Sequence, residues 1–197
     1  HKRHAARHGL PAERRAHELA HTDPLTGLPN VRAFRDRLHE EVKRARRYRT
    51  PLACVMVDMD NLKPINDQLG HAAGDAAIGA LADVIRRELR ETDFAARCGG
   101  DEFVVLLPHT SAAEARVLTE RVRDRLGEAA PQAQGRRLQV AASFGVAALG
   151  EGPLDEAADA LVRRADAALY AAKRAGRGRV VTAPGTDPSQ GDEAAPG

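Results

Sequence analysis

Two glycines followed by two acids, set between two apolar runs, constrain the fold of this chain more than any other stretch. Residues 99–102 read Gly-Gly-Asp-Glu and separate the apolar runs at residues 94–97 and 103–107. Glycine adopts positive φ without a Cβ clash, so the pattern predicts a tight hairpin between two strands. The missing Cβ atoms of Gly99 and Gly100 also let a ligand approach the backbone. The two acids can be solvated turn residues, or they can hold a cation.

Length and composition are those of one medium-sized globular domain. The chain has 197 residues, of which 43% are apolar and 29% are charged, and such a chain can bury a core. Aromatic residues make up only 3%, which argues against a stacking platform for nucleic acid. The net charge of +2 supplies no strong field for nucleic acid or membrane binding. We therefore expect neither nucleic acid nor membrane contact from this segment.

The two ends of the chain differ in composition from its centre. Residues 1–20 are rich in Arg, His and Ala, and we interpret them as a linker helix from a missing upstream sensor or dimerisation region. Residues 183–197 lack periodicity and are typical of a disordered tail. We expect the domain itself over residues 21–182. Neither a signal peptide nor a run of about 20 apolar residues is visible, which indicates a cytoplasmic domain, with any membrane anchor in the missing N-terminal part.

Apolar periodicity predicts alternating strands and helices. Residues 52–57 form a continuous apolar run, typical of a strand covered on both faces, with Asp58 where the strand ends. Cys54 and Cys98 both fall in predicted strands without metal-type spacing, so we interpret them as buried thiols. The other predicted elements are helices at 31–48 after the N-cap Asn30, at 62–69, at 75–90 opened by Asp75, at 112–126 after the N-cap Ser111 and at 154–173, and strands at 94–97, 103–107, 138–146 and 179–182.

The order of these elements predicts the fold class. It contains a β-α-β-β-α-β core, which indicates an α+β, ferredoxin-like, palm-like fold with helices on the faces of an antiparallel sheet. A right-handed crossover makes the first two strands parallel, and the hairpin inserts the third strand between them. Asp101 at the hairpin should therefore lie beside Asp58 at the end of the first strand.

The side chains expected at this rim suit a magnesium ion and a phosphate chain. Asp58, the Met59 carbonyl and Asp101 offer hard oxygen ligands with Glu102 close by, and Mg²⁺ completes its shell from water and substrate phosphates. The backbone N–H groups that open the helix at residues 62–69 are a typical phosphate cradle.

Three basic residues add to the phosphate site. Lys63 lies beside the cradle, and Lys173 and Arg177 lie four residues apart at the end of the last long helix. Each has a plain alternative, because Lys63 can be a surface lysine and the other two can be helix C-terminal charges. Together with the acids they indicate a metal–triphosphate site.

Several further motifs occur along the chain before and after residues 99–103. They are Asp23-x-Leu25-Thr26-Gly27-Leu28-x-Asn30, Asp58-x-Asp60-x-x-Lys63-x-x-Asn66-Asp67, Gly70-His71-x-x-Gly74-Asp75, Ser143-Phe144-Gly145-Val146 and Ala165-Asp166-x-Ala168-Leu169-Tyr170-x-Ala172-Lys173-x-x-Gly176-Arg177. With these motifs the chain resembles the GGDEF diguanylate cyclases over roughly residues 20–182.

The resemblance implies an enzyme that condenses two GTP into cyclic di-GMP and releases two pyrophosphates. It implies Mg²⁺, with Mn²⁺ as an alternative, on Asp58, the Met59 carbonyl and Asp101. Glu102 would lie at the metal or orient the attacking hydroxyl, so the expected catalytic residues are Asp101, Glu102 and Lys63. One domain binds one GTP, so the implied catalytic form is a homodimer about a two-fold axis.

The resemblance also implies substrate contacts. Asn66 and Asp75 would hydrogen-bond the guanine edge, whose N1–H and 2-amino donors adenine lacks. Their alternatives are a helix-terminal polar residue for Asn66 and an N-cap for Asp75. The full set expected to bind substrate is Asn61, Leu62, Lys63, Asn66, Asp75, Gly99, Gly100, Lys173 and Arg177.

A second, allosteric site for the product is implied by residues 90–93, Arg-Glu-Thr-Asp, which match the RxxD product-binding motif of the family. Arg90, Asp93 and Arg121 would bind cyclic di-GMP, because guanidinium groups suit both phosphates and guanine acceptors. The alternative is an Arg90–Asp93 ion pair at a helix end, which contributes little.

The chain departs from the common family pattern at Val31, Leu62 and Gly178, where arginine, phenylalanine and asparagine are frequent. None of these is a metal or guanine ligand, so we expect activity to be retained. The alternative function is a catalytically silent module that binds GTP or cyclic di-GMP. A more distant one is a palm-like nucleotide cyclase or polymerase fragment. The intact acids Asp58, Asp101 and Glu102 favour the enzyme.

Overall fold

The computed structural model describes residues 20–185. Almost all of the predicted linker helix and most of the predicted tail lie outside the described residues. In chain order the elements are α1 (Val31–Tyr48), β1 (Leu52–Asp60), α2 (Leu62–Leu69), α3 (His71–Glu88), β2 (Phe94–Arg97), β3 (Glu102–Pro108), α4 (Ala112–Ala129), β4 (Gln132–Ala133), β5 (Arg136–Arg137), β6 (Ala141–Ala148), α5 (Leu154–Arg174) and β7 (Val180–Thr182).

The main sheet has five strands in the order β2-β3-β1-β6-β7. The central strand β1 is antiparallel to both β3 and β6, β2 is antiparallel to β3, and β7 runs parallel to β6. Because β2 and β1 are each antiparallel to β3, they are parallel to one another with β3 between them. The predicted α+β fold and the predicted placement of the hairpin are therefore confirmed.

Two apolar layers cover the faces of this sheet. Val55 and Val57 of β1 belong to a core shared with α3 and α4, whereas Leu52 and Cys54 belong to a core shared with α1 and α5. Side chains of a strand alternate between faces, so β1 is buried on both sides, as its continuous apolar run predicted.

Two predicted helix starts are confirmed in detail. The Asn30 side chain accepts hydrogen bonds from the N–H groups of Arg32 and Ala33 at 3.0 and 3.1 Å. Ser111 forms a capping box with Glu114, in which each side chain accepts from the other residue's backbone N–H. Such caps satisfy N–H groups that lack partners within the helix.

The predicted start of α3 was wrong. The helix begins at His71 directly after Gly70, whose φ of 84° ends α2 and starts α3 without a capping side chain. Asp75 therefore lies within the helix, and the alternative role as an N-cap is excluded. The prediction failed because polar Asp75 was taken as the start, whereas packing of α2 against α3 carries the helix one turn further back.

Other boundaries moved by a few residues. The last long strand, β6, spans Ala141–Ala148 instead of 138–146, and the short β4–β5 hairpin was not predicted. Leu138 and Val140 are buried without belonging to a strand, so their apolar character reflected burial alone. β1 continues to Asp60, so Asp58 lies inside the strand and not after its end.

The two cysteines have different surroundings. Cys54 is fully buried in β1, as expected, whereas Cys98 follows β2 and is half-buried. Burial, and then the neighbouring Glu102 charge, raise the pKa of Cys98 to about 11, so its thiol is protonated at neutral pH. Within residues 20–185, no helix combines the length and apolar character needed to cross a bilayer.

Candidate active site

The ends of β1 and the β2–β3 hairpin meet at one rim of the sheet. Asp58 is the register partner of Glu102 across the β1–β3 ladder. The Met59 N–H donates to the Asp101 carbonyl at 3.0 Å, which extends the pairing into the hairpin. The predicted proximity of Asp58 and Asp101 is thus confirmed, and it follows from the pairing of the backbone alone.

Arg97 fixes the glycine hairpin from within. Its guanidinium donates to the carbonyls of Gly99 at 3.0 Å and Gly100 at 2.7 Å, and its remaining nitrogen donates to both oxygens of Asp23 at 3.1 and 3.2 Å. Neither Arg97 nor Asp23 was assigned a role from the sequence. The signal was an arginine two residues before the glycines, since a guanidinium fork can satisfy several carbonyls of a tight turn.

Asp23 remains ionised more strongly than an ordinary aspartate. Burial alone would raise its pKa, but hydrogen bonds from the Thr26 hydroxyl and N–H, followed by the Arg97 guanidinium, lower the pKa below its ordinary value. The Thr26 contacts are 2.7 and 2.8 Å long. The turn at residues 23–28 is therefore an ordered anchor for the hairpin.

Burial and neighbouring charges raise the pKa values of two acids at the rim. Burial raises the pKa of Asp58, the Asp101 and Asp60 charges raise it further, and a hydrogen bond from Lys173 offsets part of the rise. Burial likewise raises the pKa of Glu102, with additional effects from Asp58, Asp101 and Asp166. Carboxylates whose pKa values rise by mutual repulsion are stabilised when a cation binds between them.

The donor set fits a divalent cation that completes its shell from a substrate. Among residues 20–185, no group of three or more His, Cys, Asp or Glu side chains is arranged to hold a metal ion. The rim offers two carboxylates, Asp58 and Asp101, and the Met59 carbonyl. Hard cations such as Mg²⁺ are often held by one or two carboxylates together with water and phosphate oxygens, so this smaller set is adequate.

The groups predicted to bind phosphate lie around this rim, and they differ in their present partners and exposure. α2 begins directly after Asn61, whose φ of 58° turns the chain into the helix, and the first N–H groups of a helix lack intrahelical partners. Lys63 pairs with Asp67 at 2.8 Å, but both side chains are largely exposed, so the pair is weak and exchangeable. Lys173 is bound to Asp58, and Arg177 is exposed in the loop after α5.

Asn66, one of the two predicted guanine-reading residues, lies against Gly74, the chain neighbour of the other, Asp75, where α2 packs against α3. A Cβ placed on Gly74 would lie 1.9 Å from Oδ1 of Asn66, so only glycine beside Asp75 leaves room for this amide. Oδ1 of Asn66 is buried and has no hydrogen-bond partner among the described residues. A buried acceptor without a partner is uncommon, which fits an amide that meets a polar ligand.

The three residues of the predicted product site line one cavity. Arg90, Asp93 and Arg121 border a space of about 240 Å³, together with Thr110 and Glu114. The Arg90 N–H donates to the Asp93 carboxylate at 2.9 Å, and Arg121 pairs with Glu88. In the described part of the chain, no ion pair joins the side chains of Arg90 and Asp93. The predicted alternative, an ion pair at a helix end, is replaced by a turn in which the Asp93 carboxylate binds the Arg90 backbone.

Known proteins are similar to this chain in sequence and in fold. A model of the family described as "Diguanylate cyclase, GGDEF domain" matches residues 20–179. Diguanylate cyclase DgcP of Pseudomonas aeruginosa is 47% identical over 84% of this chain, and response regulator PleD of Caulobacter vibrioides is 42% identical over 83%. This chain spans 24% and 36% of the lengths of these two relatives.

A solved structure agrees with these sequence matches. The coiled coil and GGDEF domain of DgcB from Caulobacter crescentus, in complex with c-di-GMP, superposes with a TM-score of 0.81 at 32% identity, covering 87% of this chain and 90% of that one. The family model, the sequence relatives and the solved structure all point to one family. The chain belongs to the GGDEF-domain diguanylate cyclase family.

Proposed function

We propose that this domain is an active diguanylate cyclase, which condenses two GTP into cyclic di-GMP and releases two pyrophosphates. The observation that carries the proposal is the register pairing of Asp58 with Glu102, continued by the Met59–Asp101 backbone hydrogen bond. Acids from two distant segments thereby lie at one rim with Gly99 and Gly100, where the absence of Cβ atoms lets a ligand approach the backbone.

The rim residues have distinct roles in this proposal. Asp58, Asp101 and the Met59 carbonyl would hold Mg²⁺ or Mn²⁺, and the bound cation would stabilise the charge that develops on the phosphates. The α2 N-terminus, with Lys63, binds the β- and γ-phosphates, and so do Lys173 and Arg177 from the other side. The main-chain atoms of Asn61, Leu62, Gly99 and Gly100 border the same phosphates.

The reaction is an in-line displacement at phosphorus. The 3′-hydroxyl oxygen of each GTP forms a bond to the α-phosphorus of the other, and at each phosphorus the bond to the pyrophosphate oxygen breaks. Glu102 accepts the hydrogen bond of the attacking hydroxyl and then its proton, as a general base. Asn66 and Asp75 hold the guanine and thereby the orientation of the nucleotide.

Two domains are required, because each binds one GTP and the two reactive ends must face one another. The cavity at Arg90, Asp93 and Arg121 binds the product, cyclic di-GMP, and the bound product inhibits the enzyme. Two guanidinium groups on one cavity suit the phosphates and guanine acceptors of such a ligand.

The proposal is tested with a dimerising helix fused upstream of the domain, supplied with GTP and Mg²⁺. Chromatography of the nucleotides should show cyclic di-GMP from the wild type and from the control Asp124→Ala, whose exposed side chain lies on α4. Asp101→Ala should form no product. A wild type that binds GTP without forming product would instead be a silent binding module.

A further inference from the structure

Asp60, the last residue of β1, is buried in a polar cluster with Ser143 and Gly178. Only 5% of Asp60 and none of Ser143 is exposed. The Ser143 hydroxyl donates to the Asp60 carboxylate, with oxygen separations of 2.9 and 3.0 Å. The Gly178 N–H donates to the same carboxylate at 2.9 Å and lies 3.2 Å from the Ser143 oxygen. Within residues 20–185, no cationic side chain pairs with Asp60.

Gly178 belongs to a loop with an uncommon backbone. Gly176, Arg177 and Gly178 have φ values of 116°, 62° and 57° in succession. Arg177 is thus a non-glycine residue in the left-handed region, a conformation that persists only when its surroundings hold it. The Arg177 N–H donates to the Ala172 carbonyl at 3.1 Å on one side, and the Gly178 N–H is held by Asp60 on the other.

The same strand end therefore serves two parts of the site. Asp58 and Asp60 lie two residues apart on β1, so their side chains point to the same face of the sheet. Asp58 contacts Lys173 of α5, and Asp60 contacts the loop that follows α5. The acid expected to hold the metal and the arginine expected to hold phosphate are connected through one rigid strand.

We propose that Asp60 is a positioning residue, whose carboxylate fixes Arg177 for the β- and γ-phosphates through the Gly178 N–H. This rests on the proposed function, because it assumes that Arg177 binds the phosphates of GTP. Charge-assisted hydrogen bonds to a buried carboxylate are short and directional, which suits the fixing of a backbone that would otherwise leave the left-handed region. Ser143 holds the carboxylate in the required orientation.

The test measures binding of the α,β-methylene analogue of GTP, which cannot release pyrophosphate, to a double-mutant cycle of Asp60→Ala and Arg177→Ala in the presence of Mg²⁺. Each single change should weaken binding about tenfold, and the double variant should be no weaker than Arg177→Ala alone. Asp60→Asn, which keeps one acceptor oxygen, should lose less affinity than Asp60→Ala. Thr119→Val, which removes another buried hydroxyl in α4, should bind as the wild type does.

Amide exchange followed by NMR gives a second readout that does not depend on nucleotide. The Gly178 amide should exchange slowly in the wild type and faster in Ser143→Ala and Asp60→Asn, without a general loss of protection in the sheet. A Gly178 amide that exchanges at the same rate in all three proteins would overturn the proposal.

The binding cycle separates failure of this inference from failure of the proposed function. Additive losses for Asp60→Ala and Arg177→Ala would show that Asp60 acts independently of Arg177, for example as a metal ligand, and would overturn the positioning role. If the wild type bound no GTP analogue while the Gly178 amide was protected as expected, the proposed function would fail and the positioning role would fail with it.

Discussion

Lys173 of α5 donates a hydrogen bond to the carboxylate of Asp58 near the end of β1, so an ammonium group lies beside the acids of the rim. Asp58 is almost buried, and the charges of Asp101 and Asp60 lie close enough to raise its pKa. At the proposed metal site, Lys173 and a divalent cation would therefore compete for the same carboxylate. Binding of metal and nucleotide would release Lys173 from Asp58 and leave it free to contact phosphate.

Lys173→Ala tests this relationship. The loss of this partly buried ion pair should cost about 2 kcal/mol, which lowers the melting temperature by roughly 6 °C in a metal-free buffer. Mg²⁺ should stabilise the variant more than the wild type, because in the variant the cation does not compete with the lysine ammonium group for Asp58. The measurement is thermal unfolding with EDTA and with Mg²⁺, and Lys43→Ala on the exposed face of α1 is the control. Equal Mg²⁺ shifts in all three proteins would refute the shared site.

Gly74→Ala should separate guanine binding from folding. The added Cβ would lie 1.9 Å from Oδ1 of Asn66, so the amide must move away from its place against residue 74. Alanine is the better helix former, by about 0.5–1 kcal/mol, so the fold should persist while affinity for the α,β-methylene GTP analogue falls about tenfold.

The matched control for this prediction is Gly79→Ala in the same helix. No atom lies within 4 Å of a Cβ placed there, so that variant should gain stability and bind the GTP analogue with unchanged affinity. Calorimetric titration measures both proteins. Unchanged affinity in Gly74→Ala would show that Asn66 does not contact the base.

Gly145→Ala should destabilise the whole domain. A Cβ at Gly145 would lie 2.1 Å from both the Ala165 carbonyl oxygen and the Leu169 nitrogen, and backbone atoms of α5 cannot turn aside as a side chain can. We expect a loss of about 3 kcal/mol in the free energy of unfolding, measured by urea denaturation. Gly127→Ala, at a position on α4 where nothing lies within 4 Å, should instead be neutral or stabilising. A Gly145→Ala domain as stable as the wild type would contradict the close approach of α5 to β6.

Asp23→Asn should reduce stability at neutral pH but not in acid. The folded-state pKa of Asp23 is lowered from 3.8, so the folded state binds the proton less readily than the unfolded state does. Its contribution to stability is therefore complete well above pH 3.8 and is lost as the pH falls through the lower, folded-state value. Urea denaturation should show a difference of about 2 kcal/mol between wild type and variant at pH 7, and this difference should shrink below pH 3.8. A difference that is independent of pH would exclude the ionised Asp23–Arg97 contact as its source.

The topology of the sheet was predictable because it follows from local signals. The glycine pair fixes the hairpin, and the crossover rule then places β3 beside β1, so the meeting of Asp58 with Asp101 followed without any knowledge of side-chain positions. The helices were predictable where an N-cap residue such as Asn30 or Ser111 precedes a periodic run. The start of α3 was not, since it lacks a capping side chain and depends on packing against α2.

The polar contacts between distant elements could not be predicted in this way. The pairing of Lys173 with Asp58, the Arg97 fork and the Asp60–Gly178 hydrogen bond each depend on the rotamer of one side chain and on the exact approach of another element. Sequence spacing shows that such residues lie at the same rim, but it does not show which charge meets which partner.

The most direct test of the central claim is the binding of Mn²⁺, followed by electron paramagnetic resonance, in the presence of the α,β-methylene GTP analogue. The wild type and the control Asp83→Ala, an exposed acid on α3, should bind Mn²⁺ together with the nucleotide. Asp58→Ala and Asp101→Ala should each weaken this binding about a hundredfold, because in the proposed site the two carboxylates would hold one cation together. Wild-type Mn²⁺ binding in either acid variant would contradict the account.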